Sequence, residues 1–325
     1  MNNEKKTLNV VGHRKVFYTI SLTLIAIFVI LTFVLGLNVD IQFKGGTILT
    51  YSYTGDVKTA DVQKVVSDVL GQSSTVTTGE NTATSQTTVK IQLSSKKGIS
   101  DQAQNDLKDA LQAAFPDNEL ELFETNDVNA SNGLDFFLKC LVAVAFAAVI
   151  TIIYIGFRFK KIGGISAGIF SVVALLHDLC MVYGTFVICR FDINANFMAV
   201  LLTILGYSIN ATIIIYDRIR ENQNLLGKKM EIEELVNLSV TQTLGRSIHT
   251  TVTTVAAMAV VCIVCLIYGV SSIISFAFPL IIGMLAGVYS SNCIAPTLWV
   301  MWRRHRENNP KKSKKSKQPE RKGRR

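Results

Sequence analysis

The residues of this chain that could do chemistry are few, and they stand where polar groups are costly. His177 and Asp178 lie side by side within one apolar stretch, and Arg246 and His249 open another. Thr250, Thr253 and Thr254 extend the second set at helical spacing. Between them runs Gly206 to Asn222, GYSINATIIIYDRIREN. Its first half, with Gly206, Tyr207, Ser208 and Asn210, is apolar enough for a bilayer. Its second half, with Asp217, Arg218, Arg220 and Glu221, is a charged helix end. A charge at the bilayer centre costs about 2.5–3.5 kcal/mol on insertion scales. Such groups therefore mark a pathway or a helix contact, and Asp178 and Arg246 are expected to face the interior of a helix bundle. The chemistry open to them is ion or proton carriage. No enzyme constellation accompanies them: the chain has no P-loop, no H-E-x-x-H and no G-x-S-x-G, and its four histidines are scattered. No catalytic residue, cofactor or metal site is expected. Gly45-Gly46 is too short for a phosphate loop and reads as a backbone turn.

The elements that must position these groups are membrane helices. The 325 residues are 49% hydrophobic, with a mean hydropathy of +0.34. Six stretches reach the ~20 residues a spanning helix needs: 16–37, 138–157, 164–189, 196–216, 248–269 and 274–302. No small-residue cleavage site follows the first, so it reads as an uncleaved anchor. Lys5, Lys6, Arg14, Lys15, Arg158, Lys160, Lys161, Arg218, Arg220, Lys228 and Lys229 all fall on one side if both termini are cytoplasmic. Arg190, beside Asp192, is the exception. The organisation expected is a cytoplasmic N-terminus (1–15), a first span (16–37), an extracytoplasmic domain (38–135), a five-helix bundle (136–302) and a basic tail (303–325). The tail holds 12 Lys and Arg against Glu307 and Glu320. It reads as a disordered topology determinant touching anionic lipid, with no specific nucleic-acid role. The six cysteines fall in or at the edge of spans. Cys262 and Cys265 form a C-x-x-C on an apolar helix and are assigned to packing. Residues 217–247 read as a cytoplasmic connection, with Ile232, Leu235, Val236 and Val240 on an amphipathic helix along the inner interface.

Residues 38–135 form the only long polar insert, with 14 Asp and Glu against 7 Lys. Strands are expected at 47–53, 86–94 and around Leu120 and Leu122. Val62, Val65, Val66, Val69 and Leu70 predict a helix over 59–70 stopped by Gly71. Ser100 caps a second helix reaching Phe115, with Ala103, Leu107 and Leu111 on one face and Pro116 ending it. The Thr/Ser/Gly-rich segment 73–84 is a hairpin or loop. Strands and helices alternating in so short a segment suggest a small α+β, ferredoxin-like unit between the first two spans.

Several motifs in order resemble the SecF family. The Gly206–Asn222 run is similar to its G-Y-S-x-N-D-T…D-R-I-R-E-N signature, with Ala211 in place of an aspartate. Gly36 to Thr47 resembles G-x-D-F-x-G-G-T, with Asp40 and Gln42 departing. Arg158-Phe159 resembles the R-F after the second span, and His177-Asp178 the third-span H-D. Thr241 to Arg246 resembles T-Q-T-L-x-R, Thr253-Thr254 the T-T beyond it, and Gly287 to Ser291 the G-x-Y-S-S of the last span. The resemblance implies a six-helix polytopic protein of the resistance–nodulation–division superfamily. It implies SecD as partner, and action after the SecYEG channel and the SecA motor on exported unfolded polypeptide in the bacterial inner membrane. It also implies use of the proton motive force, with Arg246, Asp178, His177, Asn210 and His249 as coupling candidates. Position 211 is the family's proton site, and a methyl group cannot take a proton. Either SecD carries the only carboxylate, or Asp178 or His249 substitutes, or this position is disabled; the first is preferred. His249 itself reads as a satisfied interfacial histidine. The alternative function is a structural subunit that stabilises SecD and the channel without conducting.

Overall fold

The protein is described here from a computed structural model covering residues 7–308, apart from 73, 82–85, 94–98, 129, 228 and 269–270. The expected basic tail lies outside the described residues beyond Asn308.

Helix α1 (Arg14–Leu35) leads through Gly36 to a four-residue helix α2 (Ile41–Lys44) and the strand β1 (Gly46–Tyr53). Gly45 and Gly46 have φ of 78° and 156°, and a Cβ on Gly46 would collide with the Leu93 carbonyl oxygen. The glycine pair therefore does turn the chain. Helix α3 (Thr59–Leu70) ends on Gly71 at φ 61°, in the left-handed conformation that stops a helix. Strands β2 (Ser74–Asn81) and β3 (Gln86–Leu93) resolve the hairpin-or-loop alternative for the segment after α3 in favour of paired strands. Helix α4 (Asp101–Ala114) is capped by Ser100, whose hydroxyl accepts from the Ala103 amide at 3.3 Å. Strand β4 (Glu121–Val128) follows, starting one residue after the expected Leu120. The sheet is antiparallel in the order β2-β3-β1-β4. Alternate residues Leu49, Tyr51, Val89, Ile91 and Leu93 meet Val62, Val66, Leu107 and Leu111 of the helices in one core.

The apolar elements are longer than the sheet unit's. Helix α5 (Ala130–Arg158) turns sharply into α6 (Gly164–Cys189); α7 (Ala195–Leu226) and α8 (Ile232–Ile267) follow. The last rod comprises α9 (Ser271–Tyr289), a π-helical turn (Ser290–Ile294) and α10 (Ala295–Asn308). Among the described residues six helices are long and apolar enough to cross a membrane: Arg14–Leu35, Phe137–Arg158, Gly164–Cys189, Ala195–Leu226, Ile232–Ile267 and Ile273–Asn308. α6 and α7 are the most buried, and α8 is largely bare.

The connection over 217–247 differs from expectation. α7 does not end at Asp217, because its inward face continues through buried Ile219 and Asn222. Asn222 Nδ2 donates to Ser239 Oγ and Gln242 Oε1, each at 2.8 Å. Leu235, Val236 and Val240 belong to the first turns of α8 and pack on Ile215, Tyr216, Ile219 and Trp299, with Val10 and Val11 of the N-terminal segment. Among the described residues no separate interfacial helix forms, since that apolar stripe is already covered by protein. On the other end, Arg190 donates to the carbonyl oxygens of Leu35 and Gly36 and to Asn38 Oδ1, placing a cation at the C-terminus of α1.

Candidate functional site

Asp178 stands within α6 and is fully buried. Its Oδ2 accepts hydrogen bonds from Ser208 Oγ of α7 at 2.5 Å and from Ser290 Oγ of the π-turn at 2.8 Å. Its Oδ1 lies 3.1 Å from His177 Nδ1. No Lys or Arg contacts the carboxyl among the described residues. The hydroxyl network continues: Thr212 Oγ1 and Ser291 Oγ are 2.8 Å apart, and Thr212 Oγ1 donates to the Ser208 carbonyl at 3.1 Å. The π-turn carries the Ser290–Ser291 pair and supplies partners to both α6 and α7. Such turns recur at functional sites. His177 packs its ring 5.7 Å from that of Tyr289, while its Nε2 is buried without a partner among the described residues. The arrangement offers one carboxyl able to hold a charge or a proton, surrounded by donors from three segments.

A second set of polar groups is treated oppositely. On α8 the buried stripe is Leu235, Val236, Ser239, Val240, Thr243, Ser247 and Thr251. Arg246, His249, Thr250 and Thr253 are exposed. The expectation that Arg246 faces the interior is not met within this chain: its side chain is exposed, although it stands three residues after buried Thr243 and seven after buried Ser239. It makes no ion pair among the described residues. His249 is likewise exposed, and its side chain has no hydrogen-bond partner among the described residues. On α7, Gly206 and Asn210 are exposed beside them. Tyr207 joins α7 to α8 through a 2.6 Å contact with Thr251 Oγ1. Ala211, half-buried, lies between this face and the Ser208–Thr212 face.

Below that face is a cleft of about 960 Å³ lined by Asp217, Arg218, Glu221, Gln242 and Arg246. Its charges are mostly paired. Arg218 bonds Glu221 at 2.6 Å and Gln242 Oε1 at 2.7 Å, and Arg220 and Arg158 meet Asp217 at 2.6 and 3.4 Å. Arg246 is the uncompensated cation of the cleft. Thus the structure unites His177, Asp178 and Ser208 in one cluster and leaves Asn210, Arg246 and His249 exposed outside it. Thr212 was not singled out as a site residue, nor were Ser290 and Ser291 beyond their motif. The signal available was Ser208 and Thr212 four apart on one face of an apolar helix.

The chain matches the family described as protein export membrane protein SecD/SecF, C-terminal, over residues 106–305. It is 32% identical over 305 residues to the protein translocase subunit SecF of Alicyclobacillus acidocaldarius, covering 92% of this chain and 94% of that protein. The SecF subunit of Acidaminococcus fermentans is 30% identical over 299 residues, 92% of this chain and 98% of the relative. Among solved structures it is similar to SecDF, a translocon-associated membrane protein from Thermus thermophilus, with a TM-score of 0.73 and 28% identity over 94% of this chain. A super-membrane-facing form of SecDF gives 0.64 and 26% over 96% of it. This chain spans 40% and 41% of the length of those two solved chains.

Proposed function

Since this chain belongs to the SecD/SecF family of protein export membrane proteins, we propose that it is the SecF-like half of a two-part accessory to preprotein translocation. It sits in the bacterial inner membrane as a multi-pass protein with both termini cytoplasmic. Its βαββαβ unit is a ferredoxin-like domain on the opposite side. Its partner is a SecD-like protein, and together they aid late steps of export after a SecYEG channel and SecA, drawing on the proton motive force. It acts on the unfolded polypeptide without covalent chemistry of its own.

The observation that carries this reading is the exposed polar face of α7 and α8. Asn210, Arg246, His249 and Thr250 are exposed on apolar helices, with no side-chain partner among the described residues. Lipid offers such groups nothing, whereas a second protein offers hydrogen bonds and counter-charge. A carboxylate on that partner facing Arg246 would complete a proton site that Ala211 lacks. Moving one charge through 100 mV releases about 2.3 kcal/mol, enough to bias a domain motion.

One observation favours a purely structural role: Ala211 leaves this face without any carboxyl of its own. The two readings separate in vesicles containing SecA and ATP, with and without an uncoupler, for the native and Ala211→Asp chains and for a control lacking this chain. Position 211 lies six residues before Asp217, ~9 Å further along the helix. A carboxyl introduced there beside Arg246 should leave export intact or increase its dependence on the gradient. Export indistinguishable from the control under every gradient would sink the proton-coupled reading.

A further inference from the structure

At the end of the bundle where α5 turns into α6, the chain has an apolar groove of about 640 Å³. Gly156, Gly163 and Gly164 make it. A Cβ on Gly164 would lie 2.5 Å from the Gly156 carbonyl oxygen, so only glycine lets the two helices approach here. Ile152, Ile153, Ile165 and Ile169 line the groove along the helices, and Trp302 of α10 closes one side. Lys160 and Arg306, both near helix ends, line it as well.

The two cations lack the carboxylate partners that the nearby arginines have. Arg158, Arg220, Arg303 and Arg304 each meet a carboxylate: Asp217 for the first two, then Glu307 and Glu233. Lys160 and Arg306 meet none among the described residues. Lys160 Nζ rests instead 4.8 Å from the centroid of the Phe157 ring, and the Arg306 guanidinium 5.5 Å from that of Trp302. Aliphatic walls joined to two uncompensated cations define a ligand with a long apolar part and an anionic head. A soluble anion would leave the isoleucine walls bare, and a transmembrane segment of another protein would leave the charges unmet unless it carried acids at that depth.

We propose that this groove is a binding site for one anionic glycerophospholipid, its phosphate on Lys160 and Arg306 and an acyl chain along Ile152, Ile153, Ile165 and Ile169. The inference rests on the membrane-embedded reading above. Cations at a membrane surface each attract anionic lipid roughly fivefold, and the walls add the apolar contribution. The site would tie the α5–α6 turn to α10, and so to the rod that carries the π-turn.

The test uses the full chain purified with its SecD-like partner in mild detergent. Native mass spectrometry follows retention of phosphatidylglycerol, of phosphatidylethanolamine with the same acyl chains, and of inorganic phosphate alone. The expected result is selective retention of phosphatidylglycerol, lowered ~10-fold in Lys160→Gln/Arg306→Gln. Arg303→Gln/Arg304→Gln, which removes two paired cations from the same helix, should leave it unchanged. Ile169→Trp, which fills the groove, should lower retention without altering charge. Equal retention of both lipids, indifference to the double variant, or displacement of the lipid by phosphate alone would overturn the proposal. Extraction of the chain from membranes by alkaline carbonate would instead overturn the membrane reading on which it rests.

Discussion

Two sets of polar side chains occupy the apolar helices of this protein, and their surroundings are opposite. Around Asp178 every oxygen of the carboxyl is met from within the chain, by Ser208, Ser290 and His177. Around Arg246 no carboxylate meets the guanidinium among the described residues, and His249 and Asn210 are exposed as well. A polar group in an apolar medium must be satisfied somewhere, because each unmet hydrogen bond there costs several kcal/mol. The first set therefore holds three segments of one chain together. The second is, in the reading proposed above, half of a contact whose other half lies in a SecD-like protein. Ala211, between the two, borders both without contributing a charge to either.

The largest effect expected is at Asp178. Replacing it by leucine strands the Ser208 and Ser290 hydroxyls and the His177 ring in a site without water. The expected loss is about 3 kcal/mol of stability, with Asp178→Asn costing less because one acceptor remains. Thermal unfolding of the purified complex measures both. An Asp178→Leu protein as stable as the native one would mean that the cluster does not hold the bundle.

Arg246→Met should behave in the contrary way. It makes no ion pair or side-chain hydrogen bond among the described residues, so stability should stay within ~0.5 kcal/mol and insertion should be normal. Export should fall sharply, and the SecD-like partner should be held less tightly through gentle detergent extraction. Native secretion rates in this variant would remove the electrostatic role of the face. A loss of stability as large as that of Asp178→Leu would erase the contrast between the two regions.

The smallest effect lies outside the membrane helices. Tyr51 of β1 is fully buried, and its hydroxyl has no partner among the described residues. Burial pushes its pKa up from 10.0 to about 12. The neutral phenol is favoured in the fold, so between pH 10 and pH 12 the unfolded chain loses its proton first and stability falls as pH rises. Tyr51→Phe removes an unmet hydroxyl and should be neutral or stabilising by under ~1 kcal/mol, while abolishing that alkaline loss. A clear destabilisation at neutral pH would show that the hydroxyl does find a partner, making it a member of the satisfied class.

The helix over Thr59–Leu70 was legible because Val62 and Val66 repeat at helical spacing and Gly71 stops the run; the structure places both valines in the core. Ser100 and the Leu107–Leu111 pair were legible for the same reason. The segment after Asp217 was not. Leu235, Val236 and Val240 form an apolar stripe that suits an interfacial helix equally well, and the pattern does not name its partner. Val10, Val11 and Trp299, which cover it, stand far away in sequence. The π-turn was equally hidden, since Ser290-Ser291 gives no local sign that one extra residue is accommodated in the rod.

The order of apolar stretches, the place of the sheet unit between the first two, and the identity of the few intramembrane polar residues followed from the chain alone. Length, hydropathy and the periods of 3.6 and 2 are local quantities. Which polar residues are satisfied within the chain and which are left for a partner was decided only by tertiary structure. A helical period states that Arg246 and His249 share a face with Thr250 and Thr253. It says nothing about whether another helix of the same chain covers those side chains, and here all four are exposed.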